Sequence, residues 1–171
     1  NSLGRWVGRM QETPFRTDHR VVAGEANTLA PDVTVVAAPN PGPMTFTGTN
    51  TYLLGTDDLA IIDPGPADPA HAAAIARAVA GRPVGAIFVT HSHIDHTPLA
   101  PELGRQFEAP VIAFGRHNAR TDPVLASLGA LGGGEGIDPG FRPDKDIRDG
   151  EAIAGDSWQV TAVNHISYHI Y

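Results

Sequence analysis

Ala86-Ile87-Phe88-Val89-Thr90-His91-Ser92-His93-Ile94-Asp95-His96-Thr97 passes without a break from an apolar run into three histidines and an aspartate. The first four residues read as a buried strand, and strand ends in layered α/β proteins are where ligand-handling loops sit. His91, His93, Asp95 and His96 therefore leave one rigid edge together, all within six positions. Imidazole nitrogen and carboxylate oxygen are donors that zinc, manganese and iron accept, and four donors this close converge at little cost in chain entropy. The spacing permits a division of labour, with His91 and His93 on one metal and Asp95 and His96 on a second, roughly 3.5–4 Å away. A metal-free cluster would set three titratable rings against one another with no gain in packing.

The stretch Thr90 to His96 resembles the H-x-H-x-D-H signature of the metallo-β-lactamase-fold hydrolases. Ile61-Ile62-Asp63-Pro64-Gly65 resembles that family's strand-ending Asp-x-Gly motif. Asn40-Pro41-Gly42-Pro43-Met44 and Gly48 through Leu54 resemble the N-terminal hairpin of its β-lactamase-like protein 2 branch. The resemblance runs over residues 33 to 163, and it implies a fold of the α/β (α+β) class, an αββα sandwich. It further implies a metal-dependent hydrolase with a binuclear centre, two zinc ions with manganese or iron as alternatives, acting through a metal-bound hydroxide on an ester, thioester, amide or phosphodiester bond. Asp63 would then support the histidine loop through hydrogen bonds, and Asp95 would orient or deprotonate the attacking water. The branch points to single-stranded RNA as substrate. The same fold also hosts iron-dependent redox chemistry, which is the second enzyme reading.

The family pattern stops short after Trp158 to Val163. Relatives continue into a His-Thr-Pro-Gly-His segment whose second histidine completes the first metal's ligand set; here Asn164-His165-Ile166-Ser167-Tyr168-His169 follows. The second half of the sandwich is expected to be partly or wholly missing, with residues absent between Val163 and Asn164 or after Tyr171. His165 or His169 is the available substitute for the third ligand, since a catalytic zinc usually has three protein ligands. A sheet lacking its partner layer would expose apolar surface and favour a homo-oligomer. A truncated domain that binds metal without catalysis is the non-enzyme reading.

Composition narrows the function further. The 171 residues are one domain's worth of chain, and 42% are hydrophobic. No run approaches the roughly 18 apolar residues of a membrane helix, and residues 1 to 32 lack a signal-peptide core, so a cytoplasmic location without membrane contact is expected. The sequence contains no cysteine, so nitrogen and oxygen must supply every protein ligand to a metal. A net charge of −7 argues against a broad basic surface for nucleic acid and in favour of a small acyl substrate. Arg116 and Arg120, beside His117, read as a solvated helix face.

Residues 1 to 32, broken by Pro14 and Pro31, read as an extended arm with room for one short strand. Strands are expected over 33–38, 49–54, 59–63, 83–89 and 109–114 from their β-branched content. Asp68 caps a helix from Pro69 to Ala80, with Gly81 as the stop and His71 as a solvated residue of its first turn. Thr97 and Pro98 open a second helix through Gln106, and residues 118–130 suggest a third. Gly132 to Gly136 reads as a surface loop. Residues 147–153, with Asp149-Gly150 in a turn, and 157–163 read as a hairpin. The chain shows one domain over 1–171.

Overall fold

The computed structural model describes residues 21–114 and 136–163. The helix expected over 118–130, most of the glycine run, Arg116, Arg120, His165 and His169 lie outside the described residues. Within them, seven strands make one sheet in sequence order: β1 (Ala26–Ala30), β2 (Val33–Ala37), β3 (Asn50–Leu54), β4 (Leu59–Ile62), β5 (Val84–Val89), β6 (Val111–Phe114) and β7 (Lys145–Ile147). The first four run antiparallel, and from β4 onward every pairing is parallel. The expected short strand of the N-terminal arm is β1, whose pairing with β2 slips between Thr28 and Ala30.

The crossover from β4 to β5 is helix α1 (Pro69–Val79). The Asp68 carboxylate accepts from the His71 amide at 2.8 Å, Pro69 stands where its missing amide costs nothing, and Ala80 closes the helix at φ 54°. Helix α2 (Ala100–Phe107) begins three residues later than Thr97. Thr97, Pro98 and Leu99 form a turn, and the proline of the first helical turn is Pro101. The reason lies in Thr97, whose hydroxyl is occupied with His93 O and Asp138 and does not cap the helix.

Alternation along the strands sorts the core onto two faces. Leu59 and Ile61 of β4, Ile87 and Val89 of β5, and Val111 and Ala113 of β6 pack with Ile75, Val79 and Leu103 of the helices. Ala60, Ala86, Phe88 and Ile112 face the other way and meet Ile147 and Trp158. That second face is covered by a hairpin of β8 (Ala152–Ala154) and β9 (Gln159–Thr161), not by the hairpin expected from residue 147. Ile147 belongs to β7, beside Phe114 on β6, because burying it there extends the apolar sheet. Asp149-Gly150 is consequently the link between β7 and the hairpin, with Gly150 at φ 76°. The hairpin's own turn holds Trp158, edge-on to Phe88 with ring centroids 5.9 Å apart. A side chain at Gly85 would meet that indole at 3.0 Å, so the glycine admits it.

Candidate metal centre

The parallel ends of β4 and β5 open at the same level, and the residues that follow each strand lock onto one another. Asp63, directly after β4, donates its amide to Phe88 O at 2.9 Å and turns into the left-handed region at φ 51°. Its carboxylate is thereby directed at the start of the histidine loop. Thr90 donates its amide to Oδ1 at 2.8 Å and its hydroxyl to Oδ2 at 2.7 Å. Oδ2 also lies 3.0 Å from His96 Nδ1, so one buried carboxylate bonds the start of the loop and lies against its end. These contacts match the supporting role that the family resemblance gave Asp63.

The loop itself is a tight turn, with the amides of His96 and Thr97 both donating to His93 O at 3.0 and 3.1 Å. All four candidate ligands are brought together. His91 Nε2 lies 3.1 Å from His93 Nδ1, and His96 Nε2 lies 3.1 Å from Asp95 Oδ2. The His91 ring stacks obliquely on that of His96, with centroids 4.2 Å apart. Shielding of the His91 ring, then the like charges of His96 and His93, hold its imidazole below the usual histidine range against the pull of Asp63 and Asp95. A neutral ring is the form that can donate a lone pair. Among the described residues, no three His, Asp or Glu side chains are spread around a common point in the manner of a finished ligand set.

The residues nevertheless fit a cation. A neutral imidazole has one N–H, yet both nitrogens of His96 face carboxylate oxygen, Asp63 on one side and Asp95 on the other. His96 Nδ1 makes no hydrogen bond despite this proximity, so carboxylate oxygens crowd the ring without satisfying that nitrogen, a setting that a cation would relieve. Asp95 Oδ1 is buried without a hydrogen-bond partner, an acceptor left open beside His96.

Four residues that the sequence reading gave no place at the site complete the surroundings. Thr49 donates its hydroxyl to Asp95 Oδ2 at 3.0 Å, and Asn40 grips Thr49 through its amide oxygen and nitrogen at 2.9 and 3.0 Å. Asp138 accepts the Thr97 hydroxyl at 2.9 Å while its own amide donates to Ser92 O at 2.7 Å. His71 is no solvated residue: it is fully buried under the β4 end, with Nε2 2.9 Å from Thr51 Oγ1. The sequence did carry a signal, since His71, Ile75 and Val79 recur at fourfold spacing on the core face of α1.

Comparison with known proteins agrees with the fold. The profile of the metallo-beta-lactamase superfamily matches residues 44–166. The lactamase-like protein ptaB of Pestalotiopsis fici is 35% identical over 86 residues, 48% of this chain and 28% of that protein. The atrochrysone carboxyl ACP thioesterase of Aspergillus fumigatus is 37% identical over 86 residues, 48% of this chain and 27% of that protein. The match thus spans under a third of these curated relatives. Among solved structures, BJP-1, a subclass B3 metallo-beta-lactamase of Bradyrhizobium japonicum, superposes with a TM-score of 0.57 at 18% identity, over 84% of this chain and 52% of that one. A B3 metallo-beta-lactamase with an active-site glutamic acid gives 0.60 at 22% identity, over 81% and 51%. At such identity the likeness is one of fold, and it covers about half of each lactamase. Among the described residues, no helix is long and apolar enough to cross a membrane.

Proposed function

Because this chain belongs to the metallo-beta-lactamase superfamily, we propose that it carries the metal-holding loop of a hydrolase that cleaves a thioester or related acyl bond. The observation that carries the reading is the pair of carboxylates facing both nitrogens of His96, with Asp95 Oδ1 open beside them. His91 and His93 would hold one ion, Asp95 and His96 a second. Two zinc ions suit this donor set, and manganese or iron would also be accepted. When bound, such ions polarise an acyl oxygen and bring the pKa of water near 7.

The protein's own groups do the rest. Asp63 anchors the start of the histidine loop by bonding Thr90 and lies against His96 at its end. The Thr49 hydroxyl donates to Asp95 Oδ2 and fixes the angle of the carboxylate, which would orient or deprotonate the attacking water. Tight hydrogen bonding of the loop to Gly136 O and Asp138 limits the ways His93 and Ile94 can relax when substrate arrives. A net charge of −7 supports a small acyl substrate over single-stranded RNA, because a polyphosphate chain would be repelled. The thioesterase and lactamase-like names of the relatives support the same choice.

The test is a panel of thioester, ester, lactone and single-stranded RNA substrates, offered to the zinc-supplemented protein and to its His93→Ala variant. Thioester turnover that vanishes with His93 and a lower zinc content in the variant are expected. Equal zinc content and equal turnover in both proteins would overturn the reading.

A further inference from the structure

The buried His71, remote in sequence from the histidine loop, lies beneath it at the start of α1, and the hydrogen bonds around it leave its protonation state no choice. Thr51 Oγ1 has one proton, and it lies 2.7 Å from Asp63 O, an atom that can only accept. The hydroxyl therefore spends its proton on Asp63 and meets His71 Nε2, 2.9 Å away, as an acceptor. Nε2 must then carry a hydrogen. The other ring nitrogen, Nδ1, is buried without a partner, so a second proton there would be an unmet charge in the core. His71 is thus a neutral imidazole in the Nε2–H form, donating into a fixed chain His71 → Thr51 → Asp63.

What that chain ends on matters, because Asp63 is the residue whose backbone is unusual. A non-glycine residue at φ 51° persists only where its surroundings hold it. A hydroxyl clamped to its carbonyl oxygen from one side and the amide bond to Phe88 O from the other are such restraints. The His71 ring also fills the space over Gly65, where a Cβ would come within 2.8 Å of Cδ2 and Nε2. Gly65 in turn donates to His96 O and accepts from the Leu99 amide, both at 3.3 Å. Thr51 and His71 are fully buried, so water cannot replace either member of the chain.

We propose that His71, acting through Thr51, is a positioning residue for the metal loop: it fixes the strained backbone of Asp63, and thereby the carboxylate that bonds Thr90 and lies against His96. Its consequence for metal affinity rests on the reading given under Proposed function; its consequence for Asp63 does not. Burial lowers the affinity of the ring for a proton, in agreement with the neutral form.

The experiment uses the full chain and three readouts. Nitrogen-15 spectra of the imidazole should show His71 as the Nε2–H tautomer; the Nδ1–H tautomer would overturn the proposal outright. In His71→Leu, which keeps bulk and removes the donor, exchange of the Thr90 amide should quicken on the order of tenfold as Asp63 loosens. The zinc dissociation constant should rise about tenfold or more, the size expected when a supporting partner is lost. His71→Gln places an amide N–H near the position of Nε2 and should restore both. A leucine variant that is less stable to denaturant, yet keeps Thr90 protection and zinc affinity, would reduce His71 to a packing residue and overturn the proposal. Should the leucine variant not fold, Thr51→Val against Thr51→Ser poses the same question at the middle of the chain, with the same two readouts. If the unaltered protein binds no zinc, the metal reading falls, and the tautomer and Thr90 exchange still decide the role of His71.

Discussion

Asp58 and Asp63 stand at opposite ends of β4, and their carboxylates make nearly the same bonds. Asp58 accepts the amide and the hydroxyl of Ser157 at 2.8 and 2.7 Å; Asp63 accepts the amide and the hydroxyl of Thr90 at 2.8 and 2.7 Å. The first fastens the β8–β9 hairpin to the β3–β4 turn, and the second fastens the histidine loop to the sheet. Their settings separate them. Asp58 is half-exposed, takes a further amide from Asp156, and has its pKa lowered chiefly by the Ser157 hydroxyl. Asp63 is buried, sits in the left-handed region and touches a histidine. Closely similar hydrogen-bond chemistry thus closes a hairpin at one end of a strand and, at the other, orients a cluster of donors.

The sharpest way to break that comparison is to remove one charge from each end. Asp63→Asn puts an amide N–H against donors that need an acceptor, and should weaken zinc binding by about 10–100-fold with turnover falling alongside. Asp58→Asn, titrated in the same chelator competition, should leave zinc affinity and turnover unchanged. Equal losses in the two variants would show that the ends of β4 are not independent.

Next in size come two glycines. Gly65→Ala forces a side chain onto φ 96° and into the His71 ring, and should cost about 1–3 kcal/mol in denaturant unfolding while also weakening zinc binding. Gly155→Ala drives a methyl group into Asp58 and Trp158 and should cost a similar 1–3 kcal/mol, but with zinc affinity intact.

The smallest effects are in pH. Asp58 titrates below its usual 3.8 in the fold, so its stabilising contribution is complete above that value and is lost as pH falls through the folded pKa. Asp58→Asn should therefore flatten the acid limb of a stability profile measured by urea unfolding. His71 also titrates below its usual 6.5, through burial that outweighs the opposing charge of Asp68, so the unfolded chain binds the extra proton first. Stability should decline as pH drops below 6.5 and level off beneath the folded pKa, a slope that His71→Gln should erase.

Much of this was legible in the sequence where local chemistry and tertiary need coincide. Val33 to Ala37, Leu59 to Ile62 and Val84 to Val89 are apolar runs that only a buried sheet satisfies, and Asp68-Pro69 announces α1 whatever surrounds it. The gathering of His91, His93, Asp95 and His96 was legible because the four are neighbours in the chain. Long-range bonds were not. Nothing local ties Thr49 to Asp95 or Thr97 to Asp138, 46 and 41 residues apart. His71 is polar like a solvated residue, yet its spacing from Ile75 and Val79 puts it on the core face of α1. The hairpin was mis-framed because Asp149-Gly150 is good turn chemistry wherever it falls, whereas the pairing of Ile147 with Phe114 depends on a strand far upstream.

The slipped register of β1 has a further consequence for life in a crowded solution. A sheet whose outermost strand ran straight would offer its free amides and carbonyls to a second sheet, the first step of edge-to-edge polymerisation. The irregularity between Thr28 and Ala30 breaks the regular pairing of that margin, and slips of this kind bend and twist a strand. At the far margin, β7 is three residues long, and its first two, Lys145 and Asp146, are exposed and charged. Within the described residues, both margins of the sheet thus resist being copied by a neighbour: one by shape, the other by charge.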